Sequence, residues 1–290
     1  MRVALSALAR CVPPAQAWEL VVVDNGSTDS TQEVVAEFVA ILPLTIVHET
    51  IPGLSYARNR ALSVVGSAFV VFTDDDVEIP ATWLRAWGTA LETCNSAAWF
   101  GGPVRPSFPE GKPRWLEAES LQLLDGLLVH HDLEGNSRPY AALDGLPIGA
   151  NFGLRMAAVE MVGLFRTDLG HAGSSLGLGE ETDWLSRAKS AGLGGYFVSD
   201  AGVVHPIDRA RLRWRYAWRF GVATGTSIAR RCEKIPRPSL LRQISQVLRG
   251  FRQLAIGRAD RFRKCLMNAG VESGFRRERD AAMASSLRVA

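Results

Sequence analysis

The chain has 290 residues, of which 47% are hydrophobic, enough for one large domain with appendages. No apolar run has the length of a membrane-spanning helix, and the four cysteines lack zinc-site or disulfide-framework spacing, so a reduced, cytoplasmic setting is expected. The net charge of +3 conceals an asymmetry: residues 208–290 carry 20 Lys and Arg against 6 Asp and Glu, whereas residues 1–207 are acidic.

The first third of the chain alternates helices and strands. Apolar periodicity predicts helices at Met1–Arg10, around Val34–Phe38 and around Tyr56–Leu62, and strands at Glu19–Val23, Leu44–His48 and Ala68–Phe72. Such alternation is typical of an α/β fold with a doubly wound, mostly parallel, nucleotide-binding sheet. We expect the strand at Ala68–Phe72 to be buried on both faces, since its residues are mostly β-branched or aromatic.

A polar turn follows the first predicted strand. Asn25 and Gly26 can adopt a positive φ, and the side chains of Ser27 and Thr28 can cap the next helix.

Three carboxylates, Asp74, Asp75 and Asp76, come directly after the strand at Ala68–Phe72 and its Thr73. Ligands of open α/β sheets bind beyond the carboxyl ends of the strands, where these acids should emerge. Crowded carboxylates resist joint ionisation unless a cation lies between them, and Mg²⁺ prefers oxygen ligands. The alternative is a solvated acidic turn that caps the helix after Pro80.

In the second half of the chain, short sequence patterns predict the strands and helices. A strand at Gly149–Arg155 precedes a helix at Ala157–Val162, and the Gly/Ser-rich segment Gly170–Gly179 is of a kind that can become ordered over a ligand. A helix at Glu180–Ala191 and short strands at Tyr196–Ser199 and Gly202–His205 follow.

Five short motifs occur in a characteristic order. They are VVDNGSTD (Val22–Asp29), ARN (Ala57–Asn59), TDDD (Thr73–Asp76), GAN (Gly149–Asn151) and GEETD (Gly179–Asp183). Each is short enough to occur by chance, but together and in order they are specific. Over residues 1–207 the chain resembles the family 2 glycosyltransferases of the A-type fold. The predicted division is a catalytic domain at 1–207 and a basic helical extension at 208–290.

The resemblance implies a role for each matching residue. On the donor side, Asp24 would hold the nucleotide base, Asn25 and Ser27 would shape its turn, and Arg58, Asp74 and Asp75 would contact the sugar nucleotide. Asp76, Asp74 and His205 would bind Mg²⁺ or Mn²⁺. The acceptor or sugar side would include Gly149, Ala150, Asn151, Asp183 and Trp184. Simpler alternatives remain open: Asp24 as a helix cap, Arg58 snorkelling from a buried helix, and His205 in a structural role.

Glu181 is the candidate general base, with Glu180 as its neighbour. Glu181 shares a helix face with Trp184 and Leu185 and should point inward, whereas Glu180 aligns with Asp183 on a wetter flank. The family usually has Asp at the second acidic position, so Glu181 is a small departure with a longer reach. Alternatively, both glutamates only stabilise the positive end of their helix.

The function implied is a metal-dependent, inverting transfer of a sugar from a nucleoside-diphosphate sugar to a hydroxyl acceptor, which could be a glycan, a lipid or a cell-envelope precursor. One rival is a nucleotidyltransferase on a similar sheet, although no Gly-rich phosphate loop with a basic residue lies near the first strand. A second rival is a non-catalytic protein that binds through the basic extension.

The extension at 208–290 interleaves arginines with aromatic residues near its start and continues with basic amphipathic stretches. Such helices can lie on an anionic membrane, which would make the protein peripheral at the inner face. They could instead pack on the acidic body. No nucleic-acid-binding module is recognisable, so no nucleic-acid partner is expected.

Family members open with an apolar strand that this sequence lacks, since Met1–Leu5 already matches the first helix. That strand would lie between Glu19–Val23 and Ala68–Phe72. We therefore expect an N-terminal truncation and a gap between these two strands, with no direct hydrogen bonds joining them.

Overall fold

The structure is a computed structural model that describes residues 1–171, 176–232 and 234–289, with side chains up to residue 284. Residues 172–175 of the predicted loop Gly170–Gly179 lie outside the described residues. The chain divides into two compact units: Met1–Ser107, Val129–Asp168 and Glu180–Pro206 form the first, and Phe108–Leu128, Leu169–Gly179 and Ile207–Ala290 form the second. The functional division at residue 207 stays a prediction.

The first unit contains nine strands and six helices among the described residues. The strands are β1 (Leu20–Asp24), β2 (Leu44–His48), β3 (Phe69–Thr73), β4 (Trp99–Gly101), β5 (Val104–Ser107), β6 (Arg138–Pro139), β7 (Asn151–Arg155), β8 (Gly195–Phe197) and β9 (Val203–Pro206). The helices are α1 (Arg2–Leu8), α2 (Thr31–Ala36), α3 (Leu54–Val64), α4 (Trp83–Thr93), α6 (Met156–Val162) and α7 (Glu180–Ser190), with α5 (Ala118–Leu123) in the second unit.

The strands form three sheets of both pairing types. β1–β2, β4–β8 and β5–β9 pair in parallel, whereas β3–β7, β4–β7 and β6–β8 are antiparallel. The predicted α/β class is confirmed. The apolar cores include large, fully buried residues such as Trp184, Phe100 and Phe152.

The turn after β1 is longer than the sequence predicted. Asp24 Oδ1 accepts the backbone N–H of Ser27 at 2.9 Å, and α2 begins only after Ser30, its N-cap. The prediction that Ser27 and Thr28 cap this helix is therefore wrong, because the Asp24 bond extends the turn by three residues.

β3 is not buried on both faces, contrary to the prediction. All five of its residues are half-buried, because a cavity of about 540 Å³ runs along the strand. Leu20 and Val21 of β1 line the same cavity. Among the described residues β1 pairs only with β2, and β3 only with β7. The expected gap between these two strands is thus confirmed.

The second unit is built mainly from α8 (Trp214–Arg231), α9 (Leu240–Ala255) and α10 (Ala259–Val289). α8 and α10 approach each other through pairs of glycines spaced four residues apart, Gly221 and Gly225 on α8, Gly270 and Gly274 on α10. A Cβ at Gly225 would lie 2.2 Å from the carbonyl oxygen of Val271, closer than any real contact. Backbone therefore packs on backbone here. No described helix is both long and apolar enough to cross a membrane.

This contact predicts a large effect for a small substitution. Gly225→Ala should lower the free energy of unfolding by roughly 1–3 kcal/mol, because the new methyl group forces the helices apart. Helix propensity alone would favour alanine by about 1 kcal/mol. Urea denaturation followed by circular dichroism measures the difference. Gly66→Ala is the control, since a Cβ there meets nothing within 4 Å. Unchanged stability of the Gly225 variant would contradict the close approach.

Candidate active site

Asp74, Asp76 and His205 form a group whose ligand atoms all lie within 4.8 Å of one another. His205 Nε2 lies 4.0 Å from Asp74 Oδ2 and 3.7 Å from Asp76 Oδ1. The other ring nitrogen, Nδ1, lies 3.0 Å from the carbonyl oxygen of Pro206, which suits an N–H donor. In that tautomer Nε2 presents its lone pair to the two carboxylates, as a metal ligand requires.

Local pairing brings the acidic turn to His205. The backbone N–H of Glu78 donates to the carbonyl oxygen of Val204 at 2.7 Å, and the reverse bond is 3.0 Å long. This bridge aligns the segment after β3 with β9, whose next residue is His205. α4 has Thr82 as its N-cap, so the alternative in which the three acids cap this helix is wrong. Asp75, 62% exposed at its side chain, lies outside the group and pairs with the Met1 amino group.

The charge balance of this group suits a divalent cation. Burial raises the pKa of Asp74 above its ordinary value, and the negative charges of Asp76 and Asp75 raise it further, against the opposing charge of Arg58. Two carboxylate oxygens and one imidazole nitrogen are donors that Mg²⁺ and Mn²⁺ accept. Ligands on one such ion at about 2.1 Å can be no more than about 4.2 Å apart, close to the observed spacing.

The predicted base-binding turn is rigidly bonded. Asp24 is buried, accepts the N–H of Ser27 and the side-chain amide of Gln32, and these bonds lower its pKa to about 2. Asn25 donates to the carbonyl oxygens of Glu49 and Ile51, which joins the loops after β1 and β2. Ser27 itself is exposed. The sequence analysis missed Gln32, because no spacing signal connects it with Asp24.

Arg58 is buried, so the snorkelling alternative is wrong. Its guanidinium makes an ion pair with Glu180 and donates to the carbonyl oxygen of Gly149 at 3.1 Å. A Cβ at Gly149 would lie 2.6 Å from Arg58 Nη2, so a side chain there would displace the guanidinium. The guanidinium also lies 5.2–5.8 Å from three ring centroids, those of Phe72, Phe152 and Phe165.

The burial of Glu180 and Glu181 differs from the prediction. Glu180 was expected on a wetter flank, yet it is 3% exposed, because the ion pair with Arg58 draws it inward. Glu181 is half-buried as a residue, and its carboxylate is largely desolvated by the surrounding protein. That desolvation and the adjacent charge of Glu180 raise the pKa of Glu181 to about 7. A carboxylate with this pKa can exchange a proton near neutral pH.

The remaining predicted residues are buried in the protein. Asn151 is fully buried, accepts from Trp83 Nε1 and donates to the carbonyl oxygens of Pro103 and Ala201. Asp183 pairs with Arg187 at 2.9 Å, and Trp184 Nε1 donates to Gly163. Ala150 is also buried. Their contribution to acceptor binding stays a prediction, and any such effect would act by positioning.

A family model described as "Glycosyl transferase family 2" matches residues 2–160. The chain belongs to this family. Glycosyltransferase AglE of Haloferax volcanii is 28% identical over 204 residues, which cover 70% of this chain and 61% of AglE. The uncharacterised glycosyltransferase YibD of Escherichia coli K12 is 33% identical over 82 residues, which cover 27% of this chain and 24% of YibD. The chain thus spans about three fifths and one quarter of these relatives.

Solved structures confirm the A-type glycosyltransferase fold. The mannosyltransferase PcManGT of Pyrobaculum calidifontis, solved with GDP-Man and Mn²⁺, superposes with a TM-score of 0.55 at 19% identity and covers 99% of this chain and 75% of its own. TarS 1–349 of S. aureus, solved with UDP, gives a TM-score of 0.52 at 15% identity, with coverage of 95% and 87%.

The metal group is open to a direct test. Asp76→Asn should reduce Mn²⁺ affinity by at least about tenfold, because one of the two anionic ligands in the group becomes neutral. Isothermal titration with Mn²⁺ alone measures it, and circular dichroism verifies the fold. Asp75→Asn, the adjacent acid outside the group, is the matched control and should retain the parent's Mn²⁺ affinity. Equal affinities in the two variants would argue against the assignment.

Proposed function

We propose that this protein transfers a sugar from a nucleoside-diphosphate sugar to a hydroxyl acceptor with inversion. The observation that carries the proposal is the group of Asp74, Asp76 and His205 at the end of β3, in a member of glycosyl transferase family 2. The donor class is supported by two similar structures: PcManGT was solved with GDP-Man, and TarS was solved with UDP and with UDP-GlcNAc. Family membership disfavours the rival nucleotidyltransferase.

In this proposal Asp74, Asp76 and His205 hold Mg²⁺ or Mn²⁺. The bound ion would neutralise negative charge on the departing nucleoside diphosphate, a Lewis-acid contribution. Asp24, with its carboxylate ionised down to about pH 2, would accept hydrogen bonds from the nucleotide base. Asn25 would keep the surrounding loops in place through its bonds to Glu49 and Ile51.

Glu181 is the proposed general base. Its carboxylate would accept the proton of the acceptor hydroxyl as that oxygen forms a bond to the anomeric carbon and the bond from this carbon to the diphosphate breaks. A pKa near 7 makes the group a stronger base than an ordinary glutamate while leaving it largely ionised above neutral pH. Glu180 would act as a positioning residue, since its carboxylate is held in the ion pair with Arg58.

The proposal predicts a defined pH profile. Because the base has to be deprotonated, kcat/KM should rise about tenfold per pH unit below pH 7 and level off above it. Glu181→Gln should lower turnover by about 10²–10⁴-fold while donor affinity is retained. Initial rates with a panel of sugar nucleotides, combined with donor titrations, measure both quantities.

Glu180→Gln is the contrasting variant. It leaves Arg58 with a buried, unpaired charge, which should cost roughly 3–5 kcal/mol of stability. Loss of the neighbouring negative charge should also lower the pKa of Glu181, so the midpoint of the pH profile should move to lower pH. An active Glu181→Gln beside a stable but inactive Glu180→Gln would show that the base was assigned to the wrong carboxylate.

We further propose that α9 attaches the protein peripherally to an anionic membrane. An ordinary surface helix packs its apolar side on the protein, whereas α9 packs its polar side and exposes its apolar side. Its polar side packs on α10, where Arg242 pairs with Glu272 at 2.7 Å and Gln243 bonds Ser273. Its apolar side is exposed, and its large exposed residues are Leu240, Leu241, Ile244, Leu248, Phe251 and Leu254.

The charge of this region indicates which surface covers that face. Residues 208–290 carry 20 basic and 6 acidic residues, so an anionic lipid surface attracts the same region that presents the apolar stripe. A neutral partner would gain only the apolar contact. The two attractions together favour the membrane over a second copy of this equally basic region.

The prediction concerns two exposed leucines. Leu241→Ser with Leu248→Ser, at positions 82% and 65% exposed, should leave the fold intact. It should weaken cosedimentation with phosphatidylglycerol vesicles by at least about tenfold, since each buried leucine contributes about 1.5–3 kcal/mol. Ile41→Ser with Met161→Ser, two exposed apolar positions of the first unit, is the control. A change in oligomeric state with unchanged vesicle binding would assign the face to a second copy.

A further inference from the structure

A pocket of about 740 Å³ lies within the second unit and shares no residue with the metal group. Its wall combines the segment 110–115, the residues that lead into α8, and Arg263 of α10. Six cationic side chains line it: Lys112, Arg114, Arg209, Arg213, Arg215 and Arg263. Glu110 is the only acidic residue among the lining residues.

Most of these cations form no ion pair with another described residue. Across the described residues, no ion pair or side-chain hydrogen bond involves Lys112, Arg114, Arg209, Arg213 or Arg215. The guanidinium of Arg215 lies over the ring of Trp214, 5.2 Å from its centroid. Like charges gathered around one concave surface repel one another, and an anion bound between them removes that cost.

Arg263 is held rigidly in the pocket wall. Its Nε donates to the carbonyl oxygen of Leu212 and its Nη1 to that of Ala259, both at 2.9 Å. The guanidinium stacks on Trp115 at 4.0 Å. Arg263 is half-buried, and this burial lowers its pKa from the ordinary value. A preorganised, half-buried guanidinium is well suited to bind an oxyanion.

The first turn of α8 opens on the same pocket. Arg213 is the N-cap of this 18-residue helix and makes no side-chain capping bond. The N–H groups of an α-helix's first turn lack intrahelical partners, and the helix dipole places positive charge there. Arg213, Trp214 and Arg215 all line the pocket, so the helix end and the cationic side chains face the same space.

We propose that this pocket binds a phosphate or diphosphate group. Arginine matches the geometry of phosphate oxygens with two parallel hydrogen bonds, and several arginines from different segments converge here. The volume exceeds what the phosphate needs, and Trp214, 49% exposed, offers an apolar surface to the group that carries it. That group is either a soluble molecule or the headgroup of a membrane lipid. This inference does not depend on the sugar-transfer proposal.

The first arm of the test uses inorganic pyrophosphate and the full chain in EDTA, so that the metal group plays no part. Calorimetric titration should give saturable binding. Arg213→Gln with Arg215→Gln should weaken it by at least about tenfold, because two charge-assisted contacts are lost. The control, Arg219→Gln with Arg261→Gln, removes the same charge from exposed positions that do not line the pocket. Thermal denaturation verifies that both variants fold.

The second arm identifies the source of the phosphate through cosedimentation with vesicles of phosphatidic acid or phosphatidylcholine. Selective loss of phosphatidic acid binding in the pocket variant, together with weakened pyrophosphate binding, supports a lipid headgroup. Weakened pyrophosphate binding with unchanged vesicle binding supports a soluble ligand. Equal losses in the pocket variant and the control would overturn the proposal, since the net charge alone would explain them. Absence of pyrophosphate binding by the parent chain would overturn it as well.

Discussion

The ion pair between Arg58 and Glu180 is the interaction on which the rest of the site depends. Two buried charges are costly unless they are paired and their remaining hydrogen-bonding capacity is used. Here Arg58 also donates to Gly149 and lies among three aromatic rings, so the guanidinium has a defined place. The pair joins α3 to the first turn of α7, and Glu181 is the next residue along the chain.

The same guanidinium affects the pKa of two further carboxylates. Its charge opposes the rise in pKa that burial causes at Asp74 and at Glu181. Glu180 takes the direct bond, and its negative charge then raises the pKa of Glu181. Adjacent glutamates thereby acquire different chemistry, one as a paired structural anion and the other as a group that titrates near neutral pH. Two adjacent glutamates in equally exposed surroundings would have similar pKa values and could not take these separate roles.

Local patterns in the sequence predicted most of the elements and a metal site at Asp74 and Asp76, whereas the family resemblance implied His205. Apolar runs located β2 to the residue. The acids after β3 lie next to His205 as expected, because the bridge between Glu78 and Val204 aligns their segment with β9. The burial of Glu180 could not be predicted, since helical periodicity does not reveal an ion pair with an arginine 122 residues away in the sequence. α2 starts after a turn in which the N–H groups of Ser27 and Thr31 donate to Asp24 and Asp29, and propensity alone does not resolve these bonds.

The second unit shows why an apolar stripe can remain outside a core. α8 and α10 approach so closely through Gly221, Gly225, Gly270 and Gly274 that backbone atoms, not large side chains, fill their contact. α9 then joins α10 through Gly250 and polar partners, including the pair of Arg242 with Glu272. This packing leaves the leucines of α9 without a place inside the unit. The membrane contact proposed for α9 would offset the cost of exposing this apolar surface.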